Sequence, residues 1–200
     1  MIALDMALEN TMSLNRIATS SVLFAALLAG AVAPSAAGDL SSISDFGNAS
    51  THGNEATITQ IGNSNLATID QVMDIFGGAG NVAVIDQSGA NGNSAAVMQL
   101  GTLNRATINQ ANSDYNIASV TQTGSNNTTD LTQLGGRNSF SSSQDGSGNT
   151  ITFVQNGGNT ATVSEVGNNN SVNWSQPAQP AGSGFKIGLA LTGNMSVGVR

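Results

Sequence analysis

The chain has 200 residues, 24 of them glycine and three proline, with 8% charged and 4% aromatic residues and a formal net charge of −7. So few aromatics leave little material for an ordinary packed core, yet the scarcity of charge and the recurring Ile, Val and Thr set the chain apart from disordered polypeptides. The acidic balance offers no basic patch for phosphates and excludes nucleic acid; the absence of cysteine excludes disulfides and thiolate-bound metal.

Residues 1–37 read as an export signal. Arg16 supplies the positive region, an apolar run follows from Ile17 to Ala33, and Ser35-Ala36-Ala37 offers a small-residue cleavage site before Gly38. Asp5 and Glu9 suit such a signal badly, which points to Met12 as the start. The run is short and ends in small residues, against a transmembrane anchor. Removing the signal leaves ten acids and four bases, a net charge of −6.

From Asn54 a seven-residue unit, Asn-x-Ala-x-Ile/Val-x-Gln, recurs eleven times. Its first position holds Asn54, Asn65, Asn81, Asn93, Asn104, Asn116, Asn127, Asn138, Asn149, Asn159 and Asn170. Its last holds Gln60, Gln71, Gln87, Gln99, Gln110, Gln122, Gln133, Gln144, Gln155 and Gln176, with Glu165 in the tenth unit. Positions 1, 3, 5 and 7 form one class and 2, 4 and 6 another, the period of a strand with two different faces. One face carries Asn, Ala, a large apolar residue and Gln, interrupted at Ser142. The other is mostly Thr, Ser and Asp, as at Thr57 and Thr59 or Ser139, Ser141 and Ser143, and reads as the solvent face.

Glycine stands two places after the unit in eight of the ten connections, at Gly62, Gly89, Gly101, Gly124, Gly135, Gly146, Gly157 and Gly167. A glycine at a fixed turn position supplies positive φ without steric cost, and Asn112 takes the same place in a ninth connection. The tenth, Val72–Gly80, is stretched and reads as a bulged-out loop. Pro34, Pro177 and Pro180 all fall outside residues 54–176, as expected where every strand N–H is needed by a neighbour.

Seven-residue strands joined by tight turns predict an all-β fold: a β-solenoid of strand–turn–strand units, each roughly 22 residues, stacked in register about 4.8 Å apart. A lone buried amide with unmet donors and acceptors costs about 1–3 kcal/mol. Identical amides stacked along an axis satisfy one another as ladders. The Asn and Gln positions therefore read as an assembly device, and the open strand edges at the ends of the stack would template further chains.

Other readings fit less well. An enzyme on such a scaffold needs clustered acids, bases or metal ligands, and His52, the only histidine, lies before the repeats. Asp70 and Asp86 hold the outward sixth position of neighbouring units, where they could pair as carboxylates, but solvated charges that discourage sideways aggregation fit better. The turns lack the spacing of calcium β-rolls. No continuous outward Thr array exists, which weighs against an ice-binding solenoid. A monomeric solenoid adhesin with capped ends is the main alternative, and Pro177–Arg200 could supply one cap.

Units linked by Gln-x-Gly-x-x-Asn, well seen in QSGANGNSAAVMQLGTLNRATINQ (87–110), resemble the curlin repeat of curli fibre subunits over residues 54–176. The resemblance implies export through an outer-membrane secretion pore, then nucleated extracellular polymerisation into functional amyloid used in cell adhesion and biofilm matrix. Implied partners are further copies of the chain and related curlin subunits including a nucleator, with no cofactor or small-molecule substrate. Residues 38–53 sit where the family carries its secretion-targeting segment. Here every strand begins with Asn, where the family's best-known subunits alternate with Ser. The tail at 177–200 is an addition. Its Phe185, Ile187, Leu189 and Leu191 alternate, consistent with one more strand, a cap or a docking segment, and the tail leaves a main and a minor subunit both open.

Overall fold

A computed structural model describes residues 40–46, 53–73, 79–112, 114–179 and 184–199. The export signal at 1–37 and most of the bulged loop lie outside the described residues, as does part of the 38–53 segment.

The described chain is all β and runs β1 (Leu40–Phe46), β2 (Glu55–Asn63), β3 (Leu66–Val72), β4 (Val82–Asn91), β5 (Ser94–Thr102), β6 (Arg105–Ala111) and β7 (Ile117–Ser125). It continues with β8 (Thr128–Leu134), β9 (Ser139–Ser147), β10 (Thr150–Asn156), β11 (Thr160–Asn168), β12 (Ser171–Gln176), β13 (Lys186–Thr192) and β14 (Ser196–Val199). Odd-numbered strands form one seven-stranded sheet, A, and even-numbered strands a second, B. Every pairing is parallel, each strand lying beside the strand two further on, so the chain winds as a β-solenoid of two-strand coils.

The register is set by side-chain identity. Gln lies beside Gln, as at Gln99↔Gln122 and Gln110↔Gln133, and turn glycines align as Gly101↔Gly124↔Gly146↔Gly167. A one-residue slip would turn the whole apolar set outward, so the two-residue period fixes the pairing. Among the described residues the one shift falls between Ile61 and Gly62, where Gly62 pairs with Ala90 rather than Gly89. Gly89 is the extra residue of a bulge, because the connection after Gln87 carries one residue more than the usual four.

The inward faces of the two sheets meet in one core. Ala67, Ala95 and Ala118 of sheet A and Ala106 of sheet B contribute to it, with Ile69, Ile85, Ile108 and Leu131, all buried. Ser142 sits in this core between Val120 and Val163. In its own unit the usual inward Ala is Phe140, whose ring lies 5.0 Å from that of Phe153. In this unit position 3 is large where position 5 is small, and both are buried.

The solenoid reaches beyond residues 54–176. β1 extends sheet A at one end, while β13 and β14 form a last coil on sheets A and B. Phe185, Leu191 and Met195 stand there where the repeat has Asn, Gln and Asn, and only Gly193 keeps the turn rule.

Candidate functional site

Each Gln side chain is fully or almost fully buried from Gln71 onward, and the set forms two ladders. In sheet A, Gln71 Nε2 donates to Gln99 Oε1, Gln99 to Gln122 and Gln122 to Gln144, each at 2.8 Å. Gln144 Nε2 then donates to Glu165 Oε2 at 2.8 Å. In sheet B the chain runs Gln60, Gln87, Gln110, Gln133, Gln155 and Gln176, at 2.8–2.9 Å per step. All donors point toward the C-terminal end of the stack. The second Nε2 hydrogen goes to the opposite sheet: Gln99 to the Val82 carbonyl, Gln122 to that of Arg105, Gln144 to that of Thr128. One amide thus ties a coil to its neighbour and also ties the two strands within a coil. Thr129, at a position usually held by Ala, joins this network by donating from Oγ1 to Gln144 Oε1 at 3.0 Å.

The Asn side chains work differently and in the opposite direction. Each Oδ1 accepts the backbone N–H of the matching residue in the next coil, as Asn104 does from Asn127 and Asn138 from Asn159. The amide nitrogen donates to turn carbonyls: Asn104 Nδ2 to Gly124 O, Asn127 Nδ2 to Gly146 O and Asn149 Nδ2 to Gly167 O. Side chain to side chain bonds join only some Asn pairs, such as Asn104 with Asn127 and Asn149 with Asn170. Because Asn Oδ1 needs only a backbone partner, Asn159 and Asn170 still accept from Phe185 N and Met195 N.

Gly62, Gly101, Gly124, Gly135, Gly146, Gly157 and Gly167 have positive φ, as has Asn112 at +59°. At Gly101, Gly124 and Gly146 a side chain would also collide with the carbonyl oxygen of the next glycine in the column, the same oxygen that the Asn amide holds. A second positive-φ position, just before the Asn, has no glycine rule and was not legible in the repeat. Ser64, Leu103, Tyr115, Asn126, Arg137 and Asn169 occupy it with φ of 55–64°. Their left-handed backbone costs about 1–2 kcal/mol each. Coil-to-coil hydrogen bonds offset that cost where Leu103 N donates to Ala79 O, Tyr115 N to Asn91 O and Arg137 N to Asp114 O.

Glu165 is completely buried, and its Oε1 has no hydrogen-bond partner. Burial raises its pKa above the ordinary carboxylate value, while the bond from Gln144 works the other way. Asp70 and Asp86 do not pair. Successive strands belong to opposite sheets, so the two stand on opposite outer faces, Asp70 beside Ser44 and Met98, Asp86 beside Thr59 and Asn109.

Two in-register parallel sheets, closed by internal amide ladders and ending in strand edges among the described residues, define a stacking-repeat β-solenoid. The curlin associated repeat matches at residues 50–74 and 90–124, so the chain carries curlin-type repeats. Comparison with curated proteins and with solved structures gave no match. The repeat and its fold are of a structural, non-enzymatic kind.

Proposed function

We propose that the chain is a structural subunit of an extracellular, curli-type amyloid fibre, exported through the outer membrane and serving adhesion and biofilm matrix. The observation that carries this reading is the unbroken run of donated amide bonds along both sheets. The packing inside one chain is already cross-β, so a second curlin coil stacked on an open end would extend the same hydrogen-bond pattern. The Asn and Gln columns act as the stacking device and the aligned glycines keep the turns narrow enough to stack. The partners are other curlin coils, whether copies of this chain or related subunits including a nucleator.

The test is incorporation into fibres. Purified chain at tens of micromolar, alone and with preformed fibres of a curlin-repeat protein, is followed by amyloid-dye fluorescence and fibre diffraction. Entry into a fibre with a meridional spacing of about 4.8 Å is expected. A chain that remains monomeric in both settings is instead a capped solenoid.

A further inference from the structure

The two ends of the solenoid differ in chemistry. At the N-terminal end the ladders begin with acceptors that no earlier rung serves. Gln71 Oε1 is buried without a partner, and Gln60 heads the sheet-B ladder because β2 is the edge strand of that sheet. Gln60 needs an amide N–H arriving from a preceding coil, whereas Gln71 lies beneath β1, which brings Asp45 to its level. Ile43, Ala56 and Ile58 are only partly covered there, so the apolar stripe is open too.

The C-terminal end supplies none of this. Every Gln donates toward that end, yet in sheet A the donation stops at Glu165, and the next strand places Leu191 in the column. Phe185 and Met195 replace the two Asn, and each is 46% exposed. β14 pairs with β12 from Ser171 to Trp174. A second copy stacked in the same register would bring Leu191 to Asp45 and Met195 to Asn54. Neither apolar residue can donate or accept at those positions. The edge one coil earlier presents Asn159, Asn170 and Gln176, with Glu165 in place of Gln in sheet A, so it keeps the amide chemistry at every position but one; the last coil covers it.

We propose that this chain ends a curlin stack: its N-terminal coil docks on a curlin-repeat chain whose outgoing edge keeps its Asn and Gln, and its own last coil receives no further chain. This rests on the fibre reading above. The partner is defined by donor chemistry, since its Gln N–H meets the open acceptor of Gln60 in sheet B while its Asn oxygens take backbone N–H groups, as between rungs inside this chain.

The full chain carrying Phe185→Asn, Leu191→Gln and Met195→Asn restores amides to the last coil and provides the test fibre. A second version lacking residues 177–200 and carrying Glu165→Gln, which uncovers an amide edge from Asn159 to Gln176, guards against a folding failure of the first. Either variant is expected to form cross-β fibres that grow from both ends. Fluorescently labelled wild-type chain added at a few per cent should appear as a single spot at one end only. Growth at that end should slow on the order of a hundredfold, as two or more buried polar mismatches would impose. Wild-type chain that adds repeatedly, or that elongates alone as fast as the variants, overturns this proposal but leaves the fibre reading standing. Wild-type chain that never binds variant fibres also overturns it. Fibres from neither variant overturn the fibre reading and this proposal together.

Discussion

Gln144 Nε2 donates to Glu165 Oε2 at 2.8 Å, and that bond is the last of the sheet-A ladder. A carboxylate in the middle of the ladder would break it, since it has no N–H to pass on. At the end it has only to accept. The other oxygen is the difficulty. By register it takes the place of the amide group that Gln144 gives to the Thr128 carbonyl, and the matching carbonyl one coil on is that of Thr150. Protonated, Oε1–H can donate there and Glu165 imitates Gln; ionised, it sets a negative charge beside a carbonyl oxygen.

The stability of the folded chain should therefore depend on pH through Glu165. The folded-state pKa is raised, so the folded chain holds this proton more tightly than the unfolded one. The contribution is fully present below the unfolded carboxylate pKa of about 4.3 and is lost as pH rises through the folded value. Glu165→Gln removes that decline and should stabilise the chain at pH 7 by about 1–3 kcal/mol, the worth of one unmet buried polar group. Below pH 4 the order should reverse, since the Gln side chain keeps a second N–H facing Leu191. Thermal unfolding followed by circular dichroism at both pH values checks this, and parallel curves for the two proteins would place Glu165 in water.

A ladder residue in the middle should be far less replaceable. Gln122 receives from Gln99 and donates to Gln144 and to the Arg105 carbonyl. Gln122→Leu fills similar volume but leaves one Gln99 N–H without an acceptor, takes the side-chain donor from the Arg105 carbonyl and leaves Gln144 Oε1 only its bond from Thr129. A loss of about 2–4 kcal/mol is expected. Denaturant titration measures it, and a loss below about 1 kcal/mol would mean that the ladder contributes packing alone.

The period of two, the inward and outward faces and the turn glycines were legible because each is written in side-chain identity at a fixed spacing. The strands outside residues 54–176 were harder to read. β1 carries neither Asn nor Gln at the ladder positions, and β13 keeps only the alternation of Ile187, Leu189 and Leu191. Backbone pairing admits them without the amide signature. The direction of the ladders was hidden as well, because it depends on which amide atom faces the next coil. So was the second left-handed turn position: Leu103, Tyr115 and Arg137 share no side-chain chemistry, and their conformation is held by backbone bonds between coils.

The turn glycines should fall into two classes. At Gly124, φ is +106° and a methyl group would strike the Gly146 carbonyl oxygen that Asn127 also holds. At Gly157, φ is +72° and a methyl group would meet nothing within 4 Å. Gly157→Ala should cost only the left-handed penalty of about 1–2 kcal/mol. Gly124→Ala should cost at least about 2 kcal/mol more, because the backbone cannot yield without breaking the Asn127 bond. Equal losses in denaturant titration would show that the turns repack freely.

Phe140 and Ser142 should behave as a compensating pair. Ser142 is 4% exposed and its Oγ has no hydrogen-bond partner, so the hydroxyl contributes nothing that a methyl group would not. Its column neighbours, Val120 and Val163, are larger, and Phe140 together with Phe153 fills the space between the sheets at this level. Phe140→Ala alone should open a cavity and cost about 3–5 kcal/mol. Ser142→Val alone should gain little, because the added methyl groups compete with the Phe140 ring for the same space. Combined, the two changes recreate the Ala-x-Val of the ordinary repeat, and the double variant should recover a large part of the loss. The coupling in a double-mutant cycle is expected to be at least about 1 kcal/mol, in the range found for residues that share a cavity. Additive effects would mean that the two sites pack independently, leaving the serine in the apolar stripe without a structural reason.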